Sequence, residues 1–213
     1  MGDRFYSTVV FLSRHPFWLS SRPVVIGAEH TRRTGAYILA STHESPFDVP
    51  LLIRHAGRRL DFMTTTEATA NALVRWFYAS FNAFILDRNR RDPTAVRTVL
   101  TRLRRGRVVA MFPEGRLSPG PLSVVHTRHI RRGIGGIALT ADVPIVPSVV
   151  INSAAYLRLA SWLPIRKVRY GIAFGPPIEP TGSREEIEGR LIDAFIDLHA
   201  QLQTQMSQQQ KVM

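Results

Sequence analysis

Cysteine is absent from this chain of 213 residues, which excludes disulfides, thiolate metal sites and cysteine nucleophiles. Lysine is scarce as well: 26 arginines stand against only Lys167 and Lys211. Acidic residues number 16 against 28 basic ones, so the formal net charge is +12 and the sequence pI is near 11.3. A balance this basic draws anionic partners: nucleic acid, an acidic membrane surface, or phosphorylated substrates and carriers. No run reaches the roughly 20 apolar residues of a membrane-spanning helix. Nor is there a long apolar stretch before a small-residue cleavage site, as a signal peptide would need. Tyr6 stands where a myristoylation motif requires Ser or Thr.

The 45% hydrophobic content is ordinary for a globular chain, and the length suits one well-cored domain over 1–213 and is short for two. Strand patterns at Val24–Gly27, Ala36–Ser41, Arg59–Met63, Ala83–Leu86, Val108–Phe112, Ile145–Ile151 and Arg166–Phe174 alternate with helical ones. Helices are expected over Pro46–His55, Thr66–Phe81, from Pro93 (capped by Asp92) to the stop at Gly106, and from Arg131 to Ala141. Arg102, Arg104 and Arg105 fall in a last helical turn, where they complement the helix dipole. A capping box of Ser183 and Glu186 opens a last helix over 183–206, and the glutamine-rich 207–213 reads as a disordered tail. The alternation implies an α/β fold with a mixed, mainly parallel sheet flanked by helices. The aromatic-rich segment 1–22, with Arg4, Arg14 and Arg22, reads either as a helix packed on the core or as one lying in a membrane interface.

His43-Glu44-Ser45-Pro46-Phe47-Asp48 lies between a buried strand pattern and a helix pattern, where open α/β sheets keep their crevices. Two readings compete. Ser45 and Asp48 have the spacing of a capping box, with Pro46 at a first helical position. Alternatively His43 is a general base and Asp48 fixes its tautomer. On this stretch alone the two stand even.

Three further stretches follow in order: Phe84-Ile85-Leu86-Asp87-Arg88, Phe112-Pro113-Glu114-Gly115 and Val143-Pro144-Ile145-Val146-Pro147. Together with the H-x4-D spacing they resemble the four sequence blocks of the glycerolipid acyltransferase family, over about Ala36 to Phe174. That resemblance implies a glycerol-3-phosphate acyltransferase-like fold and acyl transfer from acyl-CoA or acyl carrier protein to the free hydroxyl of a lysophospholipid. The acceptor it implies is 1-acylglycerol-3-phosphate, giving phosphatidic acid, without cofactor or metal.

It makes His43 the base and Asp48 its partner, so that the hydroxyl attacks directly and no nucleophilic serine is needed. Ser45 is left as a cap, and Glu44 is expected to face solvent. Arg88, Glu114, Gly115 and Arg116 become the contacts for the acceptor's phosphate and glycerol. Guanidinium forks match phosphate oxygens, Glu114 could accept from a glycerol hydroxyl or fix an arginine, and Gly115 lets the backbone approach a ligand. Taken alone, Arg88 reads as one of the eight arginines from Arg88 to Arg107 on a solvated surface. Val143–Pro147 would shape the floor of the crevice. The family's lipid chemistry favours the interfacial reading of 1–22, hence a peripheral protein on the cytoplasmic side of an anionic membrane.

The chain departs from the family pattern at Thr42, where asparagine is usual, and at Asn82, where glycine is. Arg116 directly follows Gly115, with Leu117 and then Ser118 after it, where the family sets Arg and Ser two and three positions past the glycine. The shift leaves room for another acceptor, such as a lyso-aminolipid. Other classes are a hydrolase using the same pair on water, an idle lipid- or carrier-binding protein, and a nucleic-acid binder. The last lacks any aromatic-basic platform, so no nucleic acid is expected. His126 and His129 have the spacing of a metal pair but no nearby carboxylate cluster, and read as loop histidines.

Overall fold

The computed structural model describes residues 19–65, 84–86, 93–162 and 167–211. The expected helix over Thr66–Phe81, the Asp92 cap, Asp87 and Arg88, and nearly all of the amino-terminal segment lie outside them.

Seven strands form one sheet: β1 (Ser21–Ile26), β2 (Tyr37–Ser41), β3 (Leu60–Thr65), β4 (Phe84–Leu86), β5 (Val108–Met111), β6 (Ile145–Ile151) and β7 (Val168–Phe174), in the order β1-β7-β6-β2-β5-β3-β4. Every neighbouring pair is parallel except β6 with β7. The mixed, mainly parallel sheet expected from the alternation of elements is therefore present. Five α-helices accompany it among the described residues: α1 (Asp48–His55), α2 (Pro93–Arg104), α3 (Val124–Thr127), α4 (Ile134–Ala141) and α5 (Arg184–Lys211).

The apolar runs β2 and β5 are central strands buried on both faces, as parallel strands covered on both sides must be. Alternation along β2 sorts the core. Tyr37 and Leu39 pack with Val49, Leu51 and Leu52 of α1, whereas Ile38 and Ala40 pack with Val99 of α2, Ile134 of α4 and Leu191 of α5. Helices thus cover both faces, and the carboxyl ends of β2 and β5 lie side by side, Ala40 opposite Met111.

Three boundaries differ from expectation. β1 begins at Ser21, so no helix extends through residue 22. Helix α1 begins at Asp48, two residues after Pro46, because Pro46 and Phe47 form a turn before it. Helix α5 runs to Lys211, through most of the tail expected to be disordered. Glutamine is a competent helix former, Ser207 Oγ donates back to the Gln203 carbonyl at 2.9 Å, and Arg169 from β7 reaches the Met206 carbonyl.

Candidate active site

His43 leaves the carboxyl end of β2 and Phe112 that of β5, and the two rings stack at 3.8 Å between centroids with 14° between planes. His43 Nδ1 stands 2.9 Å from Asp48 Oδ2. A carboxylate can only accept, so a neutral imidazole in this contact carries its proton on Nδ1 and leaves the lone pair on Nε2. Asp48 is fully buried. The same Oδ2 accepts from the Ser45 N–H at 3.0 Å. Asp48 therefore does both things the sequence offered as alternatives: it folds back on the turn like a cap, and it holds the imidazole.

The backbone of His43 is pinned from two sides. Its N–H donates to Glu114 Oε2 at 2.7 Å, and its carbonyl accepts from the Ser118 N–H at 2.7 Å. Glu114 Oε1 accepts from the Val124 N–H at 2.7 Å, the first residue of α3. Burial pushes the Glu114 carboxyl up, and the N–H groups of Val124 and His43 pull it back toward the charged form. Glu114 was expected to meet a glycerol hydroxyl or fix an arginine. It is instead a buried brace between the His43 loop and the start of α3.

Glu44 does not face solvent either. It is half-buried, and its Oε2 accepts from the Ser153 N–H at 3.3 Å. Burial, then the Asp48 charge, raises its carboxyl. Ser45 is buried with its Oγ 2.8 Å from Ser153 Oγ. The His43 loop is thus tied to the end of β6 as well as to the loop after β5.

Beside this pair a cavity of about 600 Å³ opens between α2 and α4. His43, Phe62, Met111 and Phe112 line one part of it, and Val99, Ile137 and Thr140 another. Its walls are mainly apolar, with Arg131, Arg132 and Arg184 supplying cations. Gly115 lines it, but Arg116 is exposed and does not. The chain turns at Gly115, whose φ is +70°, and the loop returns at Ser118 to the His43 carbonyl. None of Val143–Pro147 lines the cavity; these residues build β6 and its approach instead. Two wall residues to which motif reading gave no role are Phe112 and Arg131. Phe112 was readable from its place at a strand end beside that of His43. Arg131 was not, since Arg131-Arg132-Gly133 looks like an ordinary helix opening.

His126 and His129 are exposed, and His126 faces His199 of α5 with 6.3 Å between ring centroids. No group of three metal-binding side chains occurs among the described residues. No helix among them is long and apolar enough to cross a membrane.

A histidine–aspartate pair beside a mainly apolar cavity, at the carboxyl edge of a mainly parallel sheet, is chemically suited to taking a proton next to an apolar ligand. The sequence model of the acyltransferase family matches residues 22–151, more than half the chain, and the chain belongs to that family. It is 25% identical over 125 residues to a 1-acyl-sn-glycerol-3-phosphate acyltransferase of Bacillus subtilis (strain 168), a match spanning 58% of this chain and 60% of that relative. The fold also resembles the crystal structure of the 1-acyl-sn-glycerophosphate (LPA) acyltransferase, PlsC, from Thermotoga maritima. There the TM-score is 0.69 at 23% identity, over 92% of this chain and 81% of the other.

Proposed function

We propose that this protein transfers a fatty acyl group from an acyl thioester, on coenzyme A or acyl carrier protein, to the free hydroxyl of a lysophospholipid. The acceptor we propose is 1-acylglycerol-3-phosphate and the product phosphatidic acid. The observation that carries this reading is the His43–Asp48 pair, 2.9 Å apart, on the wall of a mainly apolar cavity of about 600 Å³. Such a cavity suits a chain of methylenes, each worth about 0.8 kcal/mol when buried.

In this reading His43 Nε2 takes the proton of the acceptor hydroxyl as its oxygen attacks the thioester carbonyl. Asp48 steadies the imidazolium that forms. Collapse of the tetrahedral intermediate expels the thiolate, which takes the proton back from His43. The products are an ester and a free thiol, and the base is regenerated. Glu114 and Ser118 act on the backbone of His43, fixing where the ring stands.

The protein would work at a membrane surface, where the acceptor resides, on its cytoplasmic side. Supporting this are the +12 charge and two exposed leucines, Leu117 (45% exposed) and Leu122 (53%), on the loop whose Ser118 bonds to His43. The test is to incubate the purified protein with labelled acyl-CoA and a panel of phosphorylated and phosphate-free lysolipids, then to identify the product by mass. Acylated 1-acylglycerol-3-phosphate is expected. Free fatty acid as the sole product would instead make the protein a thioester hydrolase.

A further inference from the structure

We propose that Arg131 is the residue that grips the acceptor's phosphate, and that position 115 is glycine because the Arg131 side chain must lie across it. The proposal rests on the acyltransferase reading and names a contact within it.

Arg131 and His43 line the same cavity. The Arg131 N–H donates to the Pro113 carbonyl at 2.8 Å, one residue beyond the phenyl ring stacked on His43. The arginine is thereby anchored close to the reacting centre. Its side chain then passes over Gly115: a Cβ at that position would stand 2.4 Å from Arg131 Cδ and 2.5 Å from Nε. Gly115 also holds φ +70°, which side-chain-bearing residues rarely adopt. The glycine that the sequence offered as a gap for a ligand is occupied by this arginine.

Its surroundings leave the guanidinium available. Arg102 and Arg107 pair with Asp61, Arg128 with Asp193, and Arg184 with Glu185. Among the described residues no carboxylate bonds to Arg131. The nearby carboxylate of Glu188 is engaged elsewhere, accepting from the N–H groups of Gly133 at 2.8 Å and Gly135 at 3.3 Å. That bond also fills the amino end of α4, so the helix terminus is not the anion site. Arg132 sits beside Arg131 on the cavity wall and adds positive potential, while Glu185 faces it. In a glycerol phosphate the attacking hydroxyl and the phosphorus are only a few bonds apart. A phosphate held with that hydroxyl at His43 therefore stays within the cavity that Arg131 also lines, where a guanidinium fork is well matched to two phosphate oxygens.

The experiment compares wild type, Arg131→Ala, Arg131→Lys and Arg116→Ala, each checked for folding by circular dichroism. Acyl transfer is measured to 1-acylglycerol-3-phosphate and to a phosphate-free monoacylglycerol, and binding of glycerol 3-phosphate by equilibrium dialysis. Arg131→Ala is expected to raise KM for the phosphorylated acceptor about ten- to a hundredfold, with little change for the phosphate-free one. Arg131→Lys should recover part of the loss, and it serves as the test variant if the alanine protein does not fold. Glycerol 3-phosphate should bind wild type more tightly than Arg131→Ala. The proposal is overturned if the loss follows Arg116→Ala instead, or if Arg131→Ala slows both acceptors equally. Equal or absent binding of glycerol 3-phosphate to wild type and Arg131→Ala overturns it as well. Failure of wild type to acylate either lysolipid defeats the functional reading, and the dialysis still decides the phosphate contact.

Discussion

His55 ends α1 with its Nε2 2.7 Å from the hydroxyl of Tyr170 on β7. Burial, and then the neighbouring Arg54 charge, holds its pKa down to about 4, while burial raises that of Tyr170 so that the phenol remains a donor. The unfolded imidazole, near pH 6.5, takes up a proton before the folded one does. Stability is therefore complete above about pH 6.5 and declines as pH falls toward 4, by up to roughly 3 kcal/mol. Urea unfolding of wild type at pH 7 and pH 4.5 should show the loss, and His55→Gln should remove most of the difference between its own two curves. An unchanged pH dependence in His55→Gln would count against the buried-imidazole account.

At the same scale, the contact of His43 with Asp48 was legible because the two lie five residues apart in one turn. The job of Glu114 was not, since its partner His43 is 71 residues away and joins it only once β2 and β5 are neighbours. Arg131 escaped notice for the same reason. Nothing near it in the chain hints that its backbone returns to Pro113.

Elements were easier to read than their contacts. Continuous apolar runs announced β2 and β5, and Pro93 announced α2, because burial on both faces and helix initiation leave local marks. The antiparallel pairing of β6 with β7, and β1 lying beside β7, arise from contacts between distant segments and leave none. Arg102 shows the same limit. Its place in the last turn of α2 suggested dipole compensation, yet it pairs at 2.8 Å with Asp61 of β3. Arg107, just before β5, meets that same fully buried carboxylate at 2.5 Å. Asp61 thus locks β3, the end of α2 and the start of β5 together. Asp61→Asn keeps the shape but removes the charge that both guanidinium groups face. It should cost about 2–4 kcal/mol of stability, read as a lower midpoint in urea. A midpoint within error of wild type would show the triad to be incidental.

The whole molecule presents a strongly basic chain with its site at one sheet edge and two bare leucines on the loop beside it. Vesicles of anionic phospholipid should bind it, and added salt should weaken the binding. The double variant Leu117→Ser and Leu122→Ser should bind several-fold more weakly, because inserted apolar area contributes alongside charge. Sedimentation with the vesicles measures this. Binding that is insensitive to both salt and the leucines would remove the loop from the membrane contact.

Chemistry at His43 joins these scales, since the loop, the brace and the cavity matter only if that ring moves a proton. The direct measurement is acyl transfer from labelled acyl-CoA to 1-acylglycerol-3-phosphate by wild type and by His43→Ala protein of the same fold. The account predicts a drop of about 10²- to 10⁴-fold in turnover for His43→Ala. Turnover by folded His43→Ala at the wild-type rate would contradict it.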